Sequence, residues 1–189
     1  MDSINTVTIA HQWIRAHVKP GDFCIDATAG KGNDTALLCE LVGSKGRVLA
    51  FDILEDAVQC TRFFLVERGL DSVAVVRHDS HSHMDQYAEP ETVDCIVFNF
   101  GYFPGGDRSK FTLAETSVEA ITKGLSLLKT GGIMCLSIYY GGLNGVTERD
   151  AILACLRALD PKFYTVIVCD FLNRKGNPAF PIYIRKGSY

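Results

Sequence analysis

Phe23-Cys24-Ile25-Asp26-Ala27-Thr28-Ala29-Gly30-Lys31-Gly32-Asn33-Asp34-Thr35 is the stretch whose reading decides the fold. Its first four residues form a short apolar run that reads as a buried strand. Gly30 and Gly32 then let the backbone turn sharply and approach a ligand at the head of the next helix. The G-x-x-x-x-G-K-[ST] spacing of a phosphate-gripping loop is absent, and the dinucleotide pattern G-x-G-x-x-G is incomplete, because Thr35 stands at its third glycine. Alone, the G-x-G also fits a plain strand-to-helix turn, so the surrounding residues must decide.

Outward from that loop the chain alternates strands with helices. Ile4, Val7, Ala10, Ile14 and Val18 recur at three to four residues, an amphipathic helix ended by Lys19-Pro20-Gly21-Asp22. After the loop, helical patterns cover residues 34–42, 55–68, 114–128 and 148–159. Strand patterns cover 47–51 (ending on Asp52), 73–77, 93–98, 133–139, 164–169 and 180–185, with Gly131-Gly132 read as a turn. Such alternation predicts an α/β, Rossmann-like fold: a mostly parallel seven-stranded sheet with helices on both faces. Residues 170–179 are too short for a helical crossover, so the closing strands should form an antiparallel hairpin. All 189 residues read as one domain, with the N-terminal helix (1–20) packed on it.

Acidic residues give the loop its chemistry. Asp26 precedes the glycines, where a carboxylate repels a pyrophosphate but suits a cationic aminoacyl sulfonium. Asp52 ends the second strand, where an acid can accept both ribose hydroxyls. Asp79, in His78-Asp79-Ser80, ends the third strand, near the expected adenine edge. Asp52 alone would also suit NAD; acid on both strands favours S-adenosylmethionine. The expected cofactor residues are Asp26, Thr28, Gly30, Lys31 (through its backbone), Gly32, Asn33 and Asp34 around the methionine moiety, Asp52 and Ile53 on the ribose, Asp79 and Ser80 at the adenine, and Asn99.

The fourth strand runs into Asn99-Phe100-Gly101-Tyr102-Phe103-Pro104-Gly105-Gly106-Asp107. A buried apolar strand ending in Asn, Gly and Tyr has more polarity than packing needs. The segment matches in length the [DNS]-P-P-[YFW] of methyltransferases that act on amino nitrogens, with Phe100-Gly101 in place of the prolines and Gly101 expected to leave the loop freer. In that geometry Asn99 and the Phe100 carbonyl accept hydrogen bonds from a target amine and Tyr102 stacks on a planar base; Tyr139, in Tyr139-Tyr140-Gly141-Gly142, is a further catalytic candidate. None of the six prolines precedes a cysteine, so the thiolate route to a pyrimidine carbon has no nucleophile in its usual setting. His78, His81 and His83 gather in one loop, yet no further ligands complete a metal site, and none is expected.

Bulk properties narrow the rest. The net charge of −3 gives no general attraction to nucleic acid, leaving small basic clusters at Arg15/His17/Lys19, Arg108/Lys110, Arg174/Lys175 and Arg185/Lys186. Seven scattered cysteines without a C-x-x-C pair, no signal-peptide pattern and no apolar run long enough for a bilayer point to a soluble, cytoplasmic protein. Aromatics near Phe163 and Phe171 offer either a homodimer face or a cover for the sheet edge.

The combination D-A-T-x-G-x-G-x-D-T, F-D-I, N-x-G-Y-x-P-G-G-D and I-Y-Y-G, with residues 173–181, resembles a family labelled "putative rRNA methylase". Its members are understood as tRNA 5-aminomethyl-2-thiouridine methyltransferases. The resemblance implies methyl transfer to the aminomethyl nitrogen of the wobble uridine at position 34, with the tRNA anticodon loop as partner. A single-stranded loop presents that base at less cost than flipping one from a duplex. Competing readings are methylation of rRNA or of a small amine-bearing molecule, an NAD-dependent oxidoreductase, and a non-catalytic cofactor-binding module.

Overall fold

The computed structural model describes residues 4–101, 112–141 and 145–187. Helix α1 (Thr6–His17) starts where the sequence supplies its own cap: the Asn5 side chain accepts the Thr8 N–H at 2.9 Å, while the Thr8 hydroxyl accepts the Asn5 N–H at 2.8 Å. Its apolar stripe buries Ala10 and Ile14. Strand β1 (Phe23–Asp26) is buried at every residue and feeds the glycine loop, after which α2 (Asn33–Val42) begins. The alternation continues through β2 (Arg47–Asp52), α3 (Glu55–Glu67), β3 (Ala74–His78), β4 (Val93–Phe100), α4 (Ala114–Leu127), β5 (Leu128–Ile138), α5 (Gly145–Arg157), β6 (Tyr164–Val168) and β7 (Phe180–Lys186).

The sheet order is β3-β2-β1-β4-β5-β7-β6. β1 to β5 run parallel, and β7 lies antiparallel between β5 and β6. The mostly parallel sheet and the C-terminal antiparallel pair are thus as expected. From β1 the chain moves outward to β2 and β3, then returns to place β4 on the other side. That reversal opens a crevice at the carboxyl ends of β1 and β4.

Strand residues alternate between two apolar layers. Ile25, Phe51, Ile96, Phe98, Phe100 and Leu136 pack with α4 and α5; Cys24, Val48, Ala50, Cys95, Val97 and Cys135 pack with α1, α2 and α3. Each large side chain withdrawn from water contributes roughly 1.5–3 kcal/mol. Cys24, Cys39, Cys95 and Cys135 are buried free thiols, and burial pushes Cys39 up to about 12.

Three local expectations are corrected. Leu128 is extended (φ −63°, ψ 134°), so α4 stops at Leu127 and β5 starts at once, five residues ahead of the expected strand. Gly131-Gly132 lies inside that strand: Leu128 pairs with Val93 but Ile133 with Cys95, and Gly131 absorbs the irregularity at φ 86°. β4 runs on to Phe100, bringing Asn99 into the sheet. Between β3 and β4, where a helical crossover would be usual, residues His81–Gln86 form a 3-10 turn. Lys123 of α4 donates to its Ser82 carbonyl at 2.6 Å.

Candidate active site

Above the switch point lies a cavity of about 630 Å³. Its described walls include the glycine loop, Asp34, Asp52, Ile53, Ser80, Asn99 and Tyr139. The loop holds its shape through left-handed backbone at Gly30 (φ 55°) and Gly32 (φ 81°). A Cβ at Gly32 would sit 3.2 Å from Thr61 and Phe64, and the Thr61 hydroxyl donates to the Gly30 carbonyl at 3.1 Å, so α3 clamps the loop. Asp52 receives the Gly30 N–H at 2.9 Å and the Leu54 N–H at 3.0 Å on separate oxygens. Each oxygen keeps a lone pair for a ligand. Burial raises the Asp52 carboxyl above its ordinary range.

Asp26 is wholly buried and is not among the cavity walls. It accepts the Thr35 hydroxyl at 2.6 Å and the Thr28 N–H at 3.1 Å. Burial first, and the Asp34 carboxylate second, push it up to about 7. Asp34, at the head of α2, reaches the cavity and accepts two donors at 2.6 Å: Asn99 Nδ2 on one oxygen and His11 Nε2 on the other. Carboxylate oxygens accept, so His11 presents an Nε2–H and Asn99 its amino group, leaving the Asn99 oxygen as the group available for a ligand. Asn99 is pinned from behind as well, its backbone N–H donating to Thr28 Oγ1 at 2.7 Å.

At the third strand the expected pair separates. Ser80 lines the cavity, whereas the Asp79 carboxylate is taken up by Tyr87 Oη at 2.7 Å, His83 Nδ1 at 2.8 Å and the Ser80 N–H at 2.7 Å. His81 packs edge-on to Phe98 and Phe100, lines the cavity, and is driven by burial down to about 4, so its ring is neutral at physiological pH. Lys31 and Asn33 line the cavity; Gly32 does not. Tyr102 lies outside the described residues, as do 103–107 and the Arg108/Lys110 cluster.

Two hydrogen bonds between Gly101 and Thr112 hold the two ends of that segment together: Thr112 N–H donates to the Gly101 carbonyl and Gly101 N–H to the Thr112 hydroxyl, both at 3.1 Å. Gly101 itself stands where a side chain does not fit. Its φ is 150°, and a Cβ there would lie 3.0 Å from Tyr139 Cβ. The Phe100 carbonyl, expected to face an amine, accepts the Tyr139 N–H at 3.0 Å. Tyr139 lines the cavity, and burial, with Asp34 second, raises its phenol.

Sequence reasoning missed Val7 and His11 of α1, Thr112 and Leu113 just before α4, and Thr116 in its first turn. His11 carried a signal: it lies four residues after Val7 and three before Ile14, on the flank of the apolar stripe, an odd place for a ring that only needs solvent.

The cavity fits S-adenosylmethionine on its own chemistry. Two carboxylates, Asp34 and Asp52, line it, and Lys31 is the only lysine or arginine among its described walls. That balance favours a cationic ligand over a pyrophosphate.

Comparison with known proteins agrees. The family model described as "Putative rRNA methylase" matches residues 48–185. A "putative rRNA-methylase" from Clostridium thermocellum superposes with a TM-score of 0.95 at 39% identity, covering 98% of this chain and 100% of that one. A "putative methyltransferase" from Streptococcus mutans, solved in complex with SAH, gives 0.88 at 31%, covering 97% and 99%. The chloroplastic tRNA (mnm(5)s(2)U34)-methyltransferase of Arabidopsis thaliana is 32% identical over 93% of this chain, which spans 66% of that protein's length. With its cleft, its topology and these relatives taken together, the chain belongs to the "Putative rRNA methylase" family and is of the S-adenosylmethionine-dependent methyltransferase type.

Proposed function

We propose that this protein methylates the aminomethyl nitrogen of 5-aminomethyl-(2-thio)uridine at wobble position 34 of tRNA, giving the 5-methylaminomethyl form. The observation that carries the reading is the Asn99 carboxamide. Asp34 takes its amino group at 2.6 Å, which leaves its oxygen as the acceptor for a ligand in the cavity. An amine nucleophile needs that polarity: an acceptor for N–H aligns its lone pair, whereas a donor would occupy the lone pair. The name of the Arabidopsis relative supports the same substrate.

S-adenosylmethionine supplies the methyl group. In this reading Asp52, with Ile53, receives the ribose hydroxyls, and Ser80, backed by Asp79, meets the adenine edge. Lys31, Gly30, Gly32 and Asn33 shape the methionine end through the loop backbone, Asp34 keeps that end negative, and Asp26 and Thr28 brace the loop and Asn99 from behind. Asn99 orients the amine, and Tyr139 and Tyr102 flank the base. The Asp34 carboxylate, lining the cavity beside Asn99, would favour the positive charge that the methyl donor carries. The anticodon loop of tRNA is the proposed partner.

The family's description makes rRNA the competing substrate. One experiment separates the two: incubate the protein with cofactor and either tRNA carrying the aminomethyl intermediate or intact rRNA, then digest and weigh the nucleosides. The reading expects one methyl on the tRNA nucleoside. Labelled rRNA with unchanged tRNA overturns it.

A further inference from the structure

We infer that His11, on the first helix, is a positioning residue for methyl transfer: through Asp34 it fixes which face of the Asn99 carboxamide meets the target amine. The inference rests on the amine-methylation reading above and adds a residue to it.

The geometry is a chain of two short hydrogen bonds. His11 Nε2 meets Asp34 Oδ1 at 2.6 Å, and Asn99 Nδ2 meets Asp34 Oδ2 at 2.6 Å. Among the described residues, Asp34 is the acceptor that meets the Asn99 side chain, and the Asn99 backbone is held separately by Thr28. If Asp34 swung away, nothing else in the described network would keep Asn99 from turning its amino group toward the cavity. A cationic ligand in that cavity pulls on Asp34, whose side chain is 15% exposed and lines the wall. His11 opposes the pull by holding the second carboxylate oxygen.

The helix that carries His11 is itself anchored from the opposite end of the chain. Thr6 Oγ1 donates to the Ala179 carbonyl at 2.5 Å, and Arg174 donates to the Ile4 carbonyl. Ala10 and Ile14 sit buried on either side of His11 in the helix. The ring therefore approaches Asp34 from a rigid support.

The test compares the full-length protein with H11F, H11Q, N99A and the double variant H11F/N99A, using aminomethyl-bearing tRNA and S-adenosylmethionine. H11F is expected to lower kcat about 10- to 100-fold, the range that a small misplacement of a reacting group costs. Cofactor Kd and the melting temperature should stay near wild type, and H11Q, which keeps an N–H donor, should recover part of the loss. In the N99A background H11F should cost less than about 2-fold, because its effect passes through Asn99. Losses that multiply instead overturn the inference, as does an H11F whose defect lies wholly in cofactor affinity.

A second measurement needs no substrate. In ¹⁵N-labelled protein the His11 ring should carry its proton on Nε2, and the Asn99 side-chain amide resonances should move in H11F and partly return in H11Q. Unmoved Asn99 resonances, or a neutral His11 protonated on Nδ1, refute the positioning role. If wild type leaves aminomethyl tRNA untouched, the proposed substrate falls while this measurement still judges His11.

Discussion

Replacing Asp26 by Asn removes a charge that the fold buries at a cost. Asp26 has no exposed surface, and its carboxyl is held at about 7 against an ordinary 3.8. An acid whose folded pKa is raised binds its proton more tightly when folded. Stability from that proton is therefore complete below about pH 4, declines as pH rises toward 7, and is gone above it. Three pKa units at ~1.4 kcal/mol each amount to about 4 kcal/mol. Asn imitates the protonated acid: its oxygen can accept the Thr28 N–H, and its amino group can donate to Thr35 Oγ1 once that hydroxyl rotates. Urea unfolding of wild type and D26N without cofactor, from pH 4 to 8, should give nearly equal stabilities at pH 4. By pH 8 D26N should be ahead by up to about 4 kcal/mol, or ~8–16 °C in melting temperature for a chain of this size. Asp34 is the second cause of the shift, so D34N should move the window to lower pH. A stability difference that stays constant across this range, or a D26N less stable than wild type at pH 8, refutes the reasoning.

Other outcomes follow from the same site. Asp52→Ala should weaken S-adenosylmethionine binding at least about 100-fold by calorimetry, since two ribose hydroxyls lose a charged acceptor; affinity surviving within a few-fold would refute the ribose role. Gly101→Ala should destabilise the fold by about 1–3 kcal/mol in denaturant titration, because φ 150° is foreign to a side chain and Tyr139 stands 3.0 Å from the new Cβ. Thr28→Val strands the Asn99 N–H, and a loss of about 1–3 kcal/mol is expected by the same measurement, with kcat lowered as well.

Most of the fold was legible because apolar periodicity and glycine punctuation survive in one dimension. β1 and β2 fall where the pattern put them, as do the helices that follow each strand. β5 was misread since Gly131-Gly132 looks like a turn, and only the neighbouring strand reveals that the ladder merely slips there. Asp34, Asp52 and Asn99 could be picked out because each lies at the end of a strand or the head of a helix at the crevice. Asp26 was visible as an acid, but its depth beneath the loop was not, and nothing in His78-Asp79-Ser80 announces that Tyr87 and His83 occupy the aspartate. His11 lies 23 residues from Asp34 in the chain, and that separation is closed only by tertiary packing.

The placement of β7 between β5 and β6 has a consequence for how the protein comes into being. During synthesis β5 leaves the ribosome with one edge unpaired, and β6 emerges next with no neighbour to join, until residues 180–186 slot between them. Thr6 waits for the same stretch, since its hydroxyl is satisfied by Ala179. The helix bearing His11 therefore gains its last anchors only when nearly all of the sheet has been translated. A nascent chain cut short of residue 179 would display an apolar strand edge and an unroofed cavity, a species for chaperones and proteases to recognise before it ever meets its cofactor.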